Sequence, residues 1–195
     1  MMKQRNGLPP LQAMVTIACL FLPGVMMAAE STAGPVLVGT NGSPSAKLRP
    51  VPLDAVRWTN GFWAARYEQS REVTLRKLWD LAADPEAGHV LDNMRIAGGL
   101  KQGEFAGTDW QDAWLYKWVE SAAAFYAIAR DPWIESRMDE AIELIAAAQE
   151  EDGYIATQIS ARNRTRFTDP RQHEVYSMGH LLTAACVHHR VTGKD

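Results

Sequence analysis

The sequence predicts an all-α protein, and three observations carry that expectation. Apolar residues recur at three- and four-residue intervals over long stretches. Each stretch is bracketed by residues that start or stop a helix. Between them no convincing β-hairpin is found, and only "GYIAT", residues 153–157, has a short strand-like run. The 195 residues are 47% hydrophobic and 22% charged, the balance of a globular chain able to bury a core. A net charge of -3 and a pI near 6.0, with Lys and Arg scattered among acids, leave no basic stripe and exclude nucleic acid as a partner class.

The N-terminus differs from the rest. Lys3 and Arg5 precede an apolar run from Ala13 to Met27, and the small residues Ala28 and Ala29 follow it. That order is the layout of a secretory signal peptide over residues 1–29, which places the mature chain in the periplasm or outside the cell. Pro23 and Gly24 interrupt the run, and it is short of the ~20 apolar residues a membrane span needs, so no stable membrane anchor is expected. Thr16, Ile17 and Ala18 precede Cys19 without the usual Leu of a lipoprotein signal. Cleavage leaves Cys186 as the sole cysteine, which excludes an internal disulfide and a cysteine-cluster metal site. Residues 30–52, rich in Ser, Thr, Gly and Pro, read as a linker or extended lead-in, and the folded segment is expected over 53–195.

Four helical segments follow. The first, roughly Gly61 to Ala83, opens after Thr59-Asn60 and stops before Asp84-Pro85, because the residue before proline is pushed out of the helical region. The second, roughly Asp109 to Arg130, begins at "TDWQ", where Thr108 and Gln111 have capping-box spacing. Asp131-Pro132 ends it and starts the third, whose stripe runs through Ile134, Met138, Ala141, Ile142, Ile145 and Ala148, with Gly153 as closing cap. The second and third are joined so tightly that they form an antiparallel αα-hairpin. The fourth takes Asp169 as cap, Pro170 in its first turn, Gln172 to complete the box and Gly193 at its end. The connection from Asp84 to Gly107 carries five glycines and no clear element. Structureless loops beyond ~12 to 15 residues are uncommon in compact domains and are often functional.

"HEVYSMGH", His173 to His180, is the densest group of reactive side chains. A zinc-protease helix needs histidines one turn apart; here they are seven positions apart, ~10 Å along the axis, too far to share one ion. On a helical projection His173, Tyr176, Ser177, His180 and Thr183 share one face, while Val175, Met178, Leu182, Ala185 and Cys186 occupy the other. The polar face carries imidazoles, a phenol and hydroxyls in place of the Lys and Glu of a solvated stripe. Such groups suit hydrogen bonds to a neutral polyhydroxylated ligand. Trp110, Trp114 and Trp118, spaced by four, fit a core stripe more readily than a ligand platform.

"DAWLYKWVESAAAFYAIARDP", "AAAQEEDGYIATQ" and "HEVYSMGHLLTAACVHHRVTGK", in this order, resemble the N-terminal part of the β-L-arabinofuranosidase-like glycoside hydrolases, glycoside hydrolase family 127, over about Val51 to Asp195. The resemblance implies an (α/α)6 six-hairpin barrel of paired helices, incomplete in this chain, followed by β domains. It implies action on arabinofuranosides or related plant and microbial glycans, with a cysteine nucleophile, a glutamate acid/base, and a zinc ion held by cysteines and a glutamate. No catalytic residue or metal ligand can be placed in this chain, and those groups are expected downstream of it. The resemblance implies a fragment, a truncated gene product or the first piece of a split gene, lacking the C-terminal barrel half and the β domains as partners. Carried over as substrate-binding positions are His173, Glu174, Tyr176 and His180, with Asn93 and Arg95 near the pocket mouth. "DAWLYKW" departs from the more usual "DSDVYKW" and lacks one carboxylate near Trp114. A non-catalytic helical module that binds glycans or proteins by a concave face is the alternative that composition and periodicity leave open.

The N-terminal reading makes one direct prediction. N-terminal sequencing of protein from the producing cell should find a chain that starts at about Ala29 or Glu30; an intact Met1 on a cytoplasmic protein would contradict it.

Overall fold

The computed structural model describes residues 34–40 and 42–194; the expected signal peptide lies outside the described residues. All regular structure among them is helical, so the expected all-α class holds, and "GYIAT" forms no strand. The lead-in from residue 34 to 52 contains no helix, and Arg190 donates to the Leu37 carbonyl at 2.7 Å.

Helix α1 (Gly61–Gln69), a π-helical turn (Ser70–Thr74) and α2 (Leu75–Ala83) run on as one rod over the range expected for the first segment. It ends at Asp84, which takes extended geometry before Pro85.

The expected structureless connection is corrected by α3 (Val90–Ala97), which buries Val90, Leu91, Asn93 and Met94. Two of its flanking glycines serve close packing. A Cβ on Gly88 would lie 1.7 Å from the Leu81 carbonyl oxygen, and one on Gly98 would lie 2.7 Å from that of Ala147. These glycines let α3 seat against its neighbours, so here they mark contact where sequence reading takes them as loop.

Helix α4 (Asp112–Ala129) and α5 (Pro132–Ala148) form the expected hairpin, turned by Arg130 in left-handed geometry and by Asp131, whose carboxylate accepts from Trp133 N at 2.8 Å. Gln111 does reach back as expected, its Oε1 accepting from Thr108 N at 3.3 Å and from Thr108 Oγ1 at 2.9 Å, although α4 begins only after Gln111. Helix α5 stops at Ala148, before Gly153. A short α6 (Thr157–Ser160) and a 3-10 turn (Pro170–Gln172) lead to α7 (Glu174–Thr192).

The start of the fourth segment is a second correction. Asp169 caps Arg171 N at 3.0 Å, yet only the 3-10 turn follows, and His173 then adopts φ 56° and breaks the run. The expected Gln172 box does not form, and the Gln172 Oε1 is buried without a partner among the described residues. The Arg171 side chain holds the Asp169 carboxyl down to about 2.

Helices α4 and α7 make the most extensive pairing and run parallel, since Lys117 meets Tyr176 at one end and Arg130 donates to the Val191 carbonyl at the other. Helix α7 buries Glu174, Ser177, Ala184, Val187, His188 and Val191. Val175, Leu182 and Cys186, on the face opposite the expected polar one, meet solvent in this chain, Leu182 at 69% exposure. Small residues decide the register. Ala113, Ala122, Ala123 and Ala184 share one core, and their size lets helices approach more closely than Leu182 would allow. Trp118 joins this core to α2, its ring 4.7 Å from that of Trp79 and tilted by 50°, and donates its indole N–H to the Leu75 carbonyl at 2.9 Å.

The connection from Gln149 to His173 acts as a strap across the helix starts. Asp112, 3% exposed at the head of α4, accepts from Thr157 N at 2.8 Å and from Thr157 Oγ1 at 2.5 Å. At the head of α7, Glu174 is 4% exposed and accepts from the Tyr154 hydroxyl and from Phe167 N. Gln158 donates to the Gln172 carbonyl at 2.8 Å.

Burial raises the Asp112 carboxyl above the usual carboxylate range, and the two Thr157 hydrogen bonds oppose that rise. A raised folded-state value means the native chain holds its proton longer than the unfolded chain. Stability from this group is therefore fully present at low pH and is lost as pH rises through the folded value. Thr157→Val keeps the shape, removes one donor and raises the carboxyl further. Denaturant unfolding should show a loss of about 1–3 kcal/mol at pH 8 and a smaller loss at pH 4. An equal loss at both would show that Asp112 does not titrate with the fold.

Candidate sugar-binding ridge

The helix starts present a surface ridge of rings. Trp110 precedes α4, and its indole centroid lies 5.2 Å from that of His173. His173 meets Tyr176 at 5.7 Å, and Tyr176 meets His180 edge-on at 4.7 Å with an interplanar angle of 82°. Local structure explains the order. The left-handed turn at His173 swings its ring onto Trp110, and Tyr176 and His180 are one turn apart on α7, so their side chains lie on one face. Lys117 reaches across from α4, donating to the Tyr176 hydroxyl at 2.5 Å with its ammonium 4.9 Å from the ring centre.

Trp110 and Tyr176 are exposed, and no hydrogen bond from another described residue occupies the ring nitrogens of His173 or His180. A hollow of about 240 Å³ adjoins the ridge, lined by Phe167, Asp169, His173, Glu174, Val175 and Tyr176 among others. The ridge thus offers an indole face, two imidazoles able to donate or accept, a phenol and an ammonium. That set hydrogen-bonds hydroxyls and stacks on a ring without an excess of like charge.

Of the six positions expected to bind substrate, the structure draws together His173, Tyr176 and His180. Glu174 follows His173 in sequence, but its carboxylate turns inward to Tyr154 and Phe167 N, which makes it a positioning residue in this chain. Asn93 is fully buried in α3 and clasps the backbone of Ala106 through both its amide nitrogen and its oxygen. Arg95 pairs with Asp92 at 3.1 Å and Glu140 at 3.7 Å. Their bonds shape the 98–107 loop and the α3–α5 contact. Sequence reasoning did not assign Lys117, and it favoured the core for the three spaced tryptophans while leaving sugar stacking open for one of them; only Trp118 is core. The signal was available in the register, since Trp110, Trp114 and Lys117 recur at four and three on one side of α4.

The described residues do not fit the zinc centre that the resemblance implies. No three His, Cys, Asp or Glu among them stand together to hold an ion, and Cys186 is exposed on α7.

Comparison with known proteins agrees with the helical architecture. The chain is 34% identical over 159 residues to the non-reducing end β-L-arabinofuranosidase of Bifidobacterium longum subsp. longum, covering 70% of this chain and 24% of that protein. It superposes on a GH127 β-L-arabinofuranosidase from Geobacillus stearothermophilus T6 with TM-score 0.68 and 35% identity, over 71% of this chain and 23% of that one. A second GH127 β-arabinofuranosidase matches with TM-score 0.67 and 28% identity, over 74% and 24% of the two chains. The chain thus spans about a quarter of the length of these relatives. Residues 55–195 match the β-L-arabinofuranosidase GH127 catalytic domain, and the chain belongs to that family.

Proposed function

We propose that this chain forms the N-terminal wall of a pocket that binds the arabinofuranosyl end of a glycan, within an exported glycoside hydrolase of the GH127 type. The observation that carries this reading is the Trp110–His173–Tyr176–His180 ridge, whose exposed rings and free imidazole nitrogens match a polyhydroxylated ligand. The relatives named above are arabinofuranosidases, which supports the sugar class. The charge, apolar and small-residue order of the first 29 residues supports export.

In this reading the chain's own residues bind and orient. The carboxylates closest to the ridge in sequence are all engaged: Asp109 pairs with Arg162 and Arg164, Asp112 is held by Thr157, and Glu174 by Tyr154. The nucleophile, the acid/base and any zinc ligands belong to residues outside this chain, so the isolated chain binds glycan without turning it over.

His180→Ala provides the test. Titration calorimetry with methyl β-L-arabinofuranoside should show affinity reduced about 10- to 100-fold, the ~1–3 kcal/mol of a polar partner left unpaired, with little change in melting temperature. Unchanged affinity together with a fall in melting temperature as large as that of the core truncation Ile134→Ala would make His180 a structural histidine.

A further inference from the structure

Beside the ridge, on the α2 side of α4, lies a groove of about 270 Å³ lined by Leu75, Leu78, Leu81, Trp114, Lys117 and Ser121. The indole of Trp114 is 47% exposed there, and Trp118 behind it is buried in the core. We propose that this groove is a second ring-binding subsite, in which the exposed indole of Trp114 stacks on the sugar next to the terminal arabinofuranosyl unit. The inference rests on the glycan-binding reading above and extends it to the length of ligand recognised.

Three features select this occupant. First, the groove is continuous with the ridge, since Lys117 lines it and donates to the Tyr176 hydroxyl at 2.5 Å. One side chain therefore touches both places, and two rings joined by a glycosidic bond can lie on either side of it. Second, the lining pairs an apolar floor with polar groups at the edge, the Lys117 ammonium and the Ser121 hydroxyl. A sugar ring has that duality, with an apolar C–H face to stack and hydroxyls at its rim. Third, the lining carries no carboxylate and a single cation, so it lacks the paired or clustered charge that would select an ionic ligand over a neutral ring.

The experiment compares two probes, methyl β-L-arabinofuranoside and a β-linked L-arabinofuranose disaccharide, on the protein produced from its own gene. The measured quantity is the ratio of their dissociation constants. The native protein should bind the disaccharide roughly tenfold more tightly, the size of one aromatic stacking contact. Trp114→Ala should bring the ratio to about one, and Trp114→Phe, which keeps a platform, should retain most of it. A ratio that survives Trp114→Ala, or a native ratio of one, overturns the subsite while leaving the ridge reading in place. If neither probe binds the native protein, the ridge reading fails and the subsite with it.

Discussion

Two carboxylates withdrawn from water hold the ridge in place. Asp112 and Glu174 each stand at the start of a long helix, α4 and α7, and each turns its charge inward. A buried carboxylate is tolerated only when hydrogen bonds replace the lost water. In both cases the donors come from the same connection: Thr157 serves Asp112, and Tyr154 with Phe167 N serves Glu174. The strap from Gln149 to His173 is therefore tied at both helix starts, which fixes where it hands the chain into α7. The left-handed conformation at His173 is compatible with that fixed path. Non-glycine residues adopt it at a cost, and persist there when their surroundings determine the geometry.

From that constraint the surface chemistry follows. With Asp112 and Glu174 turned inward, Trp110 and His173 beside them face outward and meet at 5.2 Å. The parallel course of α4 and α7 then places Lys117 opposite Tyr176 and leaves His180 one turn further on. The close approach of the two helices relies on alanines, so the larger side chains of α7, Val175 and Leu182, stay at the surface. The family's (α/α) architecture supplies helices side by side; the alanine contacts set the register of this pair, and the buried carboxylates fix how the strap enters it.

Much of this was legible in the sequence. The long first segment, the α4–α5 hairpin and the end of α7 at Gly193 follow from proline, glycine and cap positions that act locally. The polar face of the last helix was legible in part: Tyr176 and His180 stand together on it, whereas Ser177 turns into the core and His173 precedes the helix in left-handed geometry. Other features depend on contacts distant in sequence. Glu174 reads as a pocket residue until Tyr154, twenty positions earlier, is seen to hold it. Asn93 and Arg95 read as loop residues because the glycines around α3 report tight packing against α2 and α5, which no local pattern encodes. The face of α7 that meets α4 was not legible, because hydrophobicity points to Leu182, whereas the fit between these two helices uses Ala184.

Hydrogen–deuterium exchange on Tyr154→Phe tests the central claim most directly. That substitution removes one hydroxyl from Glu174 and touches no ridge residue. If the buried carboxylates seat the strap, amides across 154–173 should exchange distinctly faster than in the native protein, while those of α4 and α5 keep their protection. Unchanged exchange across the strap would contradict the claim, and the placement of His173 on Trp110 would then need another cause.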